Sequence, residues 1–335
     1  MVLNTAFVFI KPHAVTEPVK KLVGKDLTAK GFKIEREGSI TAKQIDEGKL
    51  IDQHYYAIAS KATILKPHQL NVPVDKFKAK FGVDWTEALN AGNVYNAMDA
   101  CNKLGVTADE LDKIWGAAKK ADQLVKFGGG FYCGKISLPG KETIYAFNGF
   151  FMSMRQKFVE PGTSIYYYVV SWDSAKVKWE EFRSNILGPT DPASAPKDSL
   201  RGKILEGWKS LGLKAQPNTG DNGVHASASP FEALAERMNW LGASIEADAF
   251  GSELIKAGIS KEKIHEWSID PQVTYGPMPI TTSLFDALED TDTDKCLALS
   301  TLLAGPKATC PVNEYTLLAF GLGIVVGMVS LKYLK

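Results

Sequence analysis

Residues Ser164–Trp172 read SIYYYVVSW, almost wholly apolar and without polar alternation. That pattern belongs to a central strand covered on both faces, not to one with a wet side. A second apolar run, Ala6–Ile10 (AFVFI), starts almost at the N-terminus and reads as a buried first strand, being too short for a secretory h-region with its cleavage site. With 335 residues the chain can bury one large or two ordinary cores. Its net charge of +1 leaves no electrostatic footprint for nucleic acid as a partner. Cys101, Cys133, Cys296 and Cys310 lie far apart with no C-x-x-C pair, so they form neither a zinc motif nor a disulfide framework.

Local signals fill in the order around those strands. Strand Thr5–Ile10 leads through Lys11-Pro12-His13 into a helix over Val19–Lys30, which Gly31 stops, and Phe32–Ser39 follows as a strand. Thr41-Ala-Lys-Gln44 is a capping-box pattern that opens a helix to about Ala59. From Thr63 to Glu142 the pieces are short and amphipathic, which predicts a small helical insert with its own minor core; Thr107-Ala-Asp-Glu110 caps one of its helices. Gly128-Gly-Gly130 lacks the lysine and hydroxyl of a phosphate loop and precedes a strand-like run, so it reads as a hairpin turn. Helical spacing returns over Asn148–Lys157 and Val177–Asn185, and again over Ser252–Ala257, Ser260–Trp267 and Thr281–Leu288. Glu289–Asp294 is a solvated acidic turn whose spacing does not fit a calcium loop.

The run Tyr315–Leu331 carries no charge and is closed by Lys332 and Lys335. A bilayer core takes roughly 17 to 25 apolar residues, so this stretch is expected to span a membrane once as a tail anchor. Gly323-x-x-x-Gly327 gives it the small-residue spacing of packed membrane helices. The basic end suits a mitochondrial membrane.

The chemistry concentrates in Asn222-Gly-Val-His225-Ala-Ser227, a histidine among small residues just ahead of the helix opened by Pro230. Such a histidine can act as a nucleophile held by its neighbours, or it can simply cap or pack. Three further pieces stand in one order with it: Phe7-Val-Phe-Ile-Lys11-Pro12, Gln53-His54-Tyr55, and the loop from Gly188-Pro-Thr190 to Ser199-Leu-Arg201-Gly202. Together they resemble the nucleoside diphosphate kinase family over residues 4–62 and 143–245.

The resemblance implies a ferredoxin-like α/β sandwich with an antiparallel sheet, divided into a discontinuous kinase-like domain (1–62 and 143–245), a helical insertion (63–142), a helical C-terminal extension (246–312) and the transmembrane anchor (313–335). It also implies that His225 takes the γ-phosphate of a nucleoside triphosphate and passes it to a diphosphate, with Ser227 and Glu236 orienting imidazole and phosphoryl group. By the same resemblance Lys11, Thr190 and Arg201 hold phosphate oxygens, Tyr55 lies near Lys11, Asn222 reaches the sugar and leaving oxygen, and Phe150 covers the base. Mg²⁺ would arrive on the ATP or other nucleotide phosphates. Several positions depart from the family: His13 and Ala228 stand where it keeps acids, and Lys203 follows Arg201-Gly202 where it keeps an aspartate. Arg183 lies one residue too far upstream to match the second phosphate arginine, and about ten extra residues fall within Lys203–Asp221. Those departures and the additions support a second expectation, an accessory or structural subunit of a large membrane complex that reuses the fold with a weak or silent site. Partners on either reading are nucleotides, the membrane, and protein partners or further copies of the chain.

Overall fold

A computed structural model describes residues 2–275 and 280–305. The strands, in chain order, are β1 (Leu3–Ile10), β2 (Lys33–Thr41), β3 (Val94–Asn96), β4 (Leu124–Gly128), β5 (Phe131–Ile136), β6 (Ile144–Phe147), β7 (Ser164–Asp173), β8 (Val224–Ala226), β9 (Gln272–Tyr275) and β10 (Ile280–Ser283). The chain divides into two compact units. One gathers the residues up to Ala6, Ser171–Ser184 and the chain from Ser227 on; the other comprises Phe7–Val170 and Asn185–Ala226.

The second unit carries the chemistry-bearing strands. One sheet has the order β2-β7-β1-β8, with β8 antiparallel to β1. The SIYYYVVSW run is therefore an interior strand, flanked by β2 and β1, as its lack of alternation predicts. The helix Glu17–Ala29 buries Val19, Val23 and Leu27, an i, i+4, i+8 stripe, and Thr16 caps it by accepting from the Val19 N–H at 3.2 Å. The Tyr168 hydroxyl donates to the Lys20 carbonyl at 2.8 Å and so ties that helix to the sheet.

The segment expected to be a helical insert is mixed. Helices Val74–Phe81, Trp85–Asn90, Ala97–Leu104 and Ala108–Lys120 alternate with β3, β4 and β5, which join β6 in a second sheet of order β3-β6-β5-β4. The β4–β5 hairpin turns at the expected glycines. Strand β3 escapes a reading by periodicity because three residues are too few to show alternation. Phe77, Phe81, Phe127, Tyr145 and Phe147 fill an aromatic core, and Ala97, Ala100, Leu104, Leu111, Ile144 and Phe151 a second, aliphatic one. The long helix expected from Thr41 to Ala59 is broken into Ala42–Glu47, Leu50–His54 and Tyr56–Ala59. A buried Arg155 pins the first two pieces: Nε donates to both Asp52 oxygens at 3.0 and 2.9 Å, and Nη2 to Asp46 at 2.7 Å.

In the first unit, helices Pro230–Leu241, Ala249–Lys256, Lys261–Trp267, Leu284–Leu288 and Thr293–Ala304 enclose Phe231, Leu254, Trp267, Leu284 and Cys296. Thr281–Leu288, expected as one helix, begins instead as β10, paired antiparallel with β9. The Arg237–Asp248 pair is buried and closed by two hydrogen bonds of 2.7 and 3.0 Å. Among the described residues no helix is long and apolar enough to cross a membrane. The expected span Tyr315–Leu331 lies outside the described residues.

Candidate functional site

Antiparallel pairing sets the site. Val8, Phe9 and Ile10 lie opposite Ala226, His225 and Val224, and one step on the Lys11 N–H donates to the Gly223 carbonyl at 2.8 Å. Side chains alternate faces along a strand, and opposed residues share a face. Lys11 is still extended (φ −69°, ψ 153°), so Phe9, Lys11 and His225 lie on one face. The His225 ring packs 4.7 Å from Phe9 and, edge-on, 4.7 Å from His54. His54 in turn meets the Tyr55 ring at 4.6 Å, so the Leu50–His54 helix delivers His54 and, at its C-cap, Tyr55.

A cavity of about 260 Å³ opens beside them, lined by Lys11, His13, Tyr55, Lys157, Gly220 and Asp221 among others. Lys157 comes from the helix Phe151–Val159. Asp221 comes from a turn closed by Asn218 Oδ1, which accepts the Gly220 and Asp221 N–H groups at 2.9 and 3.1 Å.

Lys11, Lys157 and Asp221 bring their charges to this cavity. Burial lowers the Lys11 ammonium from 10.5 to about 8, the Arg201 cation pushing the same way and Asp221 opposing. Its Nζ donates to the Gly220 carbonyl at 3.2 Å. Burial likewise drops His13 to about 4 against the pull of Asp221, so its imidazole is neutral near pH 7. His13 Nε2 accepts the Gly223 N–H at 3.1 Å, which puts the proton on Nδ1, 3.7 Å from Asp221 Oδ1. Both Asp221 oxygens accept from Lys157 Nζ, at 3.0 and 2.8 Å.

Arg201 is buried at the start of the helix Leu200–Gly207, which Ser199 caps. Its Nη1 donates to the Gly188 carbonyl at 2.7 Å, while Nε and Nη2 donate to the Val224 carbonyl at 3.2 and 2.9 Å, next in the chain to His225. A Cβ at Gly202 would fall 2.1 Å from the Pro196 carbonyl oxygen, so only glycine fits there. Asn222 Nδ2 donates to the carbonyl of the exposed Thr190 at 3.0 Å, whereas its buried Oδ1 meets no hydrogen-bonding group among the described residues. Lys203 pairs with Asp26 and Asp198.

Phe150 packs against Trp115 and Tyr132, at 6.1 and 6.0 Å, and does not line the cavity. Ser227, Glu236 and Arg183 belong to the first unit. There the Ser227 hydroxyl donates to the Glu236 carboxylate, both buried, and Arg183 Nη1 donates to Glu289 and Asp290 at 2.6 and 2.8 Å. Glu232 of that unit is pushed up to about 8, by burial first and by the nearby Glu236 carboxylate second. In the sequence Lys157 reads only as a helix end and Asp221 as the close of an extra stretch, so neither is marked there as a lining residue of this cavity.

No protein-family model matches the chain, and no curated protein matches it. Among solved structures it is similar to the nucleoside diphosphate kinase of Encephalitozoon cuniculi, at 13% identity over 72% of this chain and 90% of that one, with a TM-score of 0.35. The Aquifex aeolicus enzyme gives 13% identity, 71% and 94% coverage, and a TM-score of 0.35. The NDP kinase of Pyrobaculum aerophilum gives 16%, 71% and 95%, again with a TM-score of 0.35. A likeness at that level leaves function to be argued from the site.

Proposed function

We propose that the chain moves a phosphoryl group from a nucleoside triphosphate to a nucleoside diphosphate through a phosphohistidine at His225. One observation carries the reading: His225 and Lys11 share a sheet face across the β1–β8 pair, beside a cavity with two ammonium groups. An imidazole nitrogen would attack the γ-phosphorus, the bond to the β–γ bridging oxygen would break, and the diphosphate would leave. A second diphosphate would then take the group from the histidine. Transfer of this kind needs positioned cations more than covalent machinery. Lys11, charged below about pH 8, is the nearest candidate, with the Tyr55 phenol lining the same cavity. Magnesium would arrive with the nucleotide, held by its phosphate oxygens, where it would screen their charge. The run Tyr315–Leu331 would tether this activity to a membrane.

A second reading, an accessory subunit with a silent site, is favoured by Arg201, whose guanidinium is buried against the Gly188 and Val224 carbonyls. Incubation with γ-³²P-ATP decides between them. Wild type should acquire acid-labile, alkali-stable label and His225→Ala should acquire none. Equal labelling of both, or labelling of neither, overturns the phosphotransfer reading and leaves the second.

A further inference from the structure

Asp221 is an acid in a cavity otherwise suited to anions. It shares the wall with Lys11 and Lys157, and among the described residues no other carboxylate lines that wall. Both its oxygens take hydrogen bonds from Lys157 Nζ, at 3.0 and 2.8 Å, and Oδ1 lies 3.7 Å from His13 Nδ1. The turn closed by Asn218 fixes its backbone, and the Gly220 carbonyl just before it receives the Lys11 ammonium at 3.2 Å. A carboxylate offers an ammonium the same charged oxygen pair that a phosphate does.

We infer that Asp221 is an internal occupant of a phosphate subsite made by Lys11 and Lys157, and that a phosphate-bearing ligand binds by displacing it from Lys157. The ligand class rests on the phosphotransfer reading; the competition does not. Lys157 is then a binding residue in its own right, a second cation that complements Lys11 where Arg183 is held by Glu289 and Asp290. The exchange is easy because the Asp221–Lys157 pair is partly open to water, its side chains 31% and 52% exposed. Such pairs contribute little to stability, and a polyphosphate brings several charges against one. The extra chain within Lys203–Asp221 ends on this carboxylate, so the inserted stretch acts as a built-in competitor for the subsite.

Calorimetric titration of the full chain with inorganic tripolyphosphate tests this, using wild type, Asp221→Asn and Lys157→Gln after a thermal melt confirms folding. Asp221→Asn should bind about tenfold tighter than wild type, since the competing charge is gone while the turn stays, and Lys157→Gln about tenfold weaker. An Asp221→Asn affinity equal to or below wild type overturns the inference. So does a Lys157→Gln affinity as tight as wild type, which stands as a test even if Asp221→Asn does not fold, and so does the absence of tripolyphosphate binding by wild type and both variants. The His225 label is read on the same preparations. A binding shift without label sinks only the phosphotransfer reading, and label without a shift sinks only the competition.

Discussion

A histidine nitrogen that accepts a hydrogen bond cannot take a proton without losing that bond. His13 Nε2 accepts the Gly223 N–H, and burial holds the imidazole at about 4 although Asp221 pulls it upward; Lys11 and Lys157 face it too and push it down. The folded pKa lies below the ordinary 6.5, so between those two values the unfolded chain binds the proton and the folded chain does not. Stability must therefore fall as pH drops from about 6.5 to about 4, by on the order of 3 kcal/mol. His13→Gln keeps an acceptor for Gly223 without the titration. Urea midpoints at pH 7, 5.5 and 4.5 should drop more steeply for wild type than for the variant; parallel curves would remove this account. The sequence marks His13 only as the wrong residue for an acidic position. Its hydrogen bond to Gly223 depends on a backbone 210 residues away, which no local pattern reveals.

Helix signals in this chain report starts better than continuity. Thr41 and Gln44 form the expected reciprocal box, as do Thr107 and Glu110, because each box is written within four residues. The first helix nonetheless ends at Gly48, and Lys49 takes a left-handed conformation (φ 51°, ψ 35°) before the chain resumes at Leu50. The apolar spacing runs through that break, so periodicity alone joins the pieces. The break re-aims the next turn, which presents His54 to His225 and Tyr55 to the cavity. A lysine in the left-handed region costs about 1 kcal/mol relative to glycine. Lys49→Gly should therefore raise the melting midpoint by a few degrees and leave His225 labelling intact. A lower midpoint would show that the lysine side chain contributes more than its backbone strain costs. The helix Thr293–Ala304 was hidden for a related reason: it begins inside the acidic run Glu289–Asp294, whose charges read as a solvated turn, yet it buries Cys296 and Ser300 one turn apart.

At the scale of the whole molecule, what the sequence makes legible is the set of long, chemically specific runs: both buried strands, the Lys11 strand end, the Arg201 helix start and the His225 segment. Contacts between residues distant in the chain, such as Asp221 with Lys157, carry no composition or spacing of their own. The expected tail anchor rests on the sequence alone, since it lies outside the described residues. Its uncharged run from Tyr315 to Leu331 would rise, at about 1.5 Å per residue, roughly 25 Å as a helix, a little short of the roughly 30 Å hydrocarbon core. Lys332 and Lys335 could make up the difference by reaching the headgroups along their own methylene stems. Residues 313–335 fused to a soluble fluorescent protein should therefore stay with membranes through alkaline carbonate extraction. Placing aspartates at Gly323 and Gly327, at the middle of the run, should release the fusion, since each buried charge costs about 3 kcal/mol or more. Release of the unmodified fusion by carbonate would mean that the run packs against protein instead, and the tether would drop out of the proposed function.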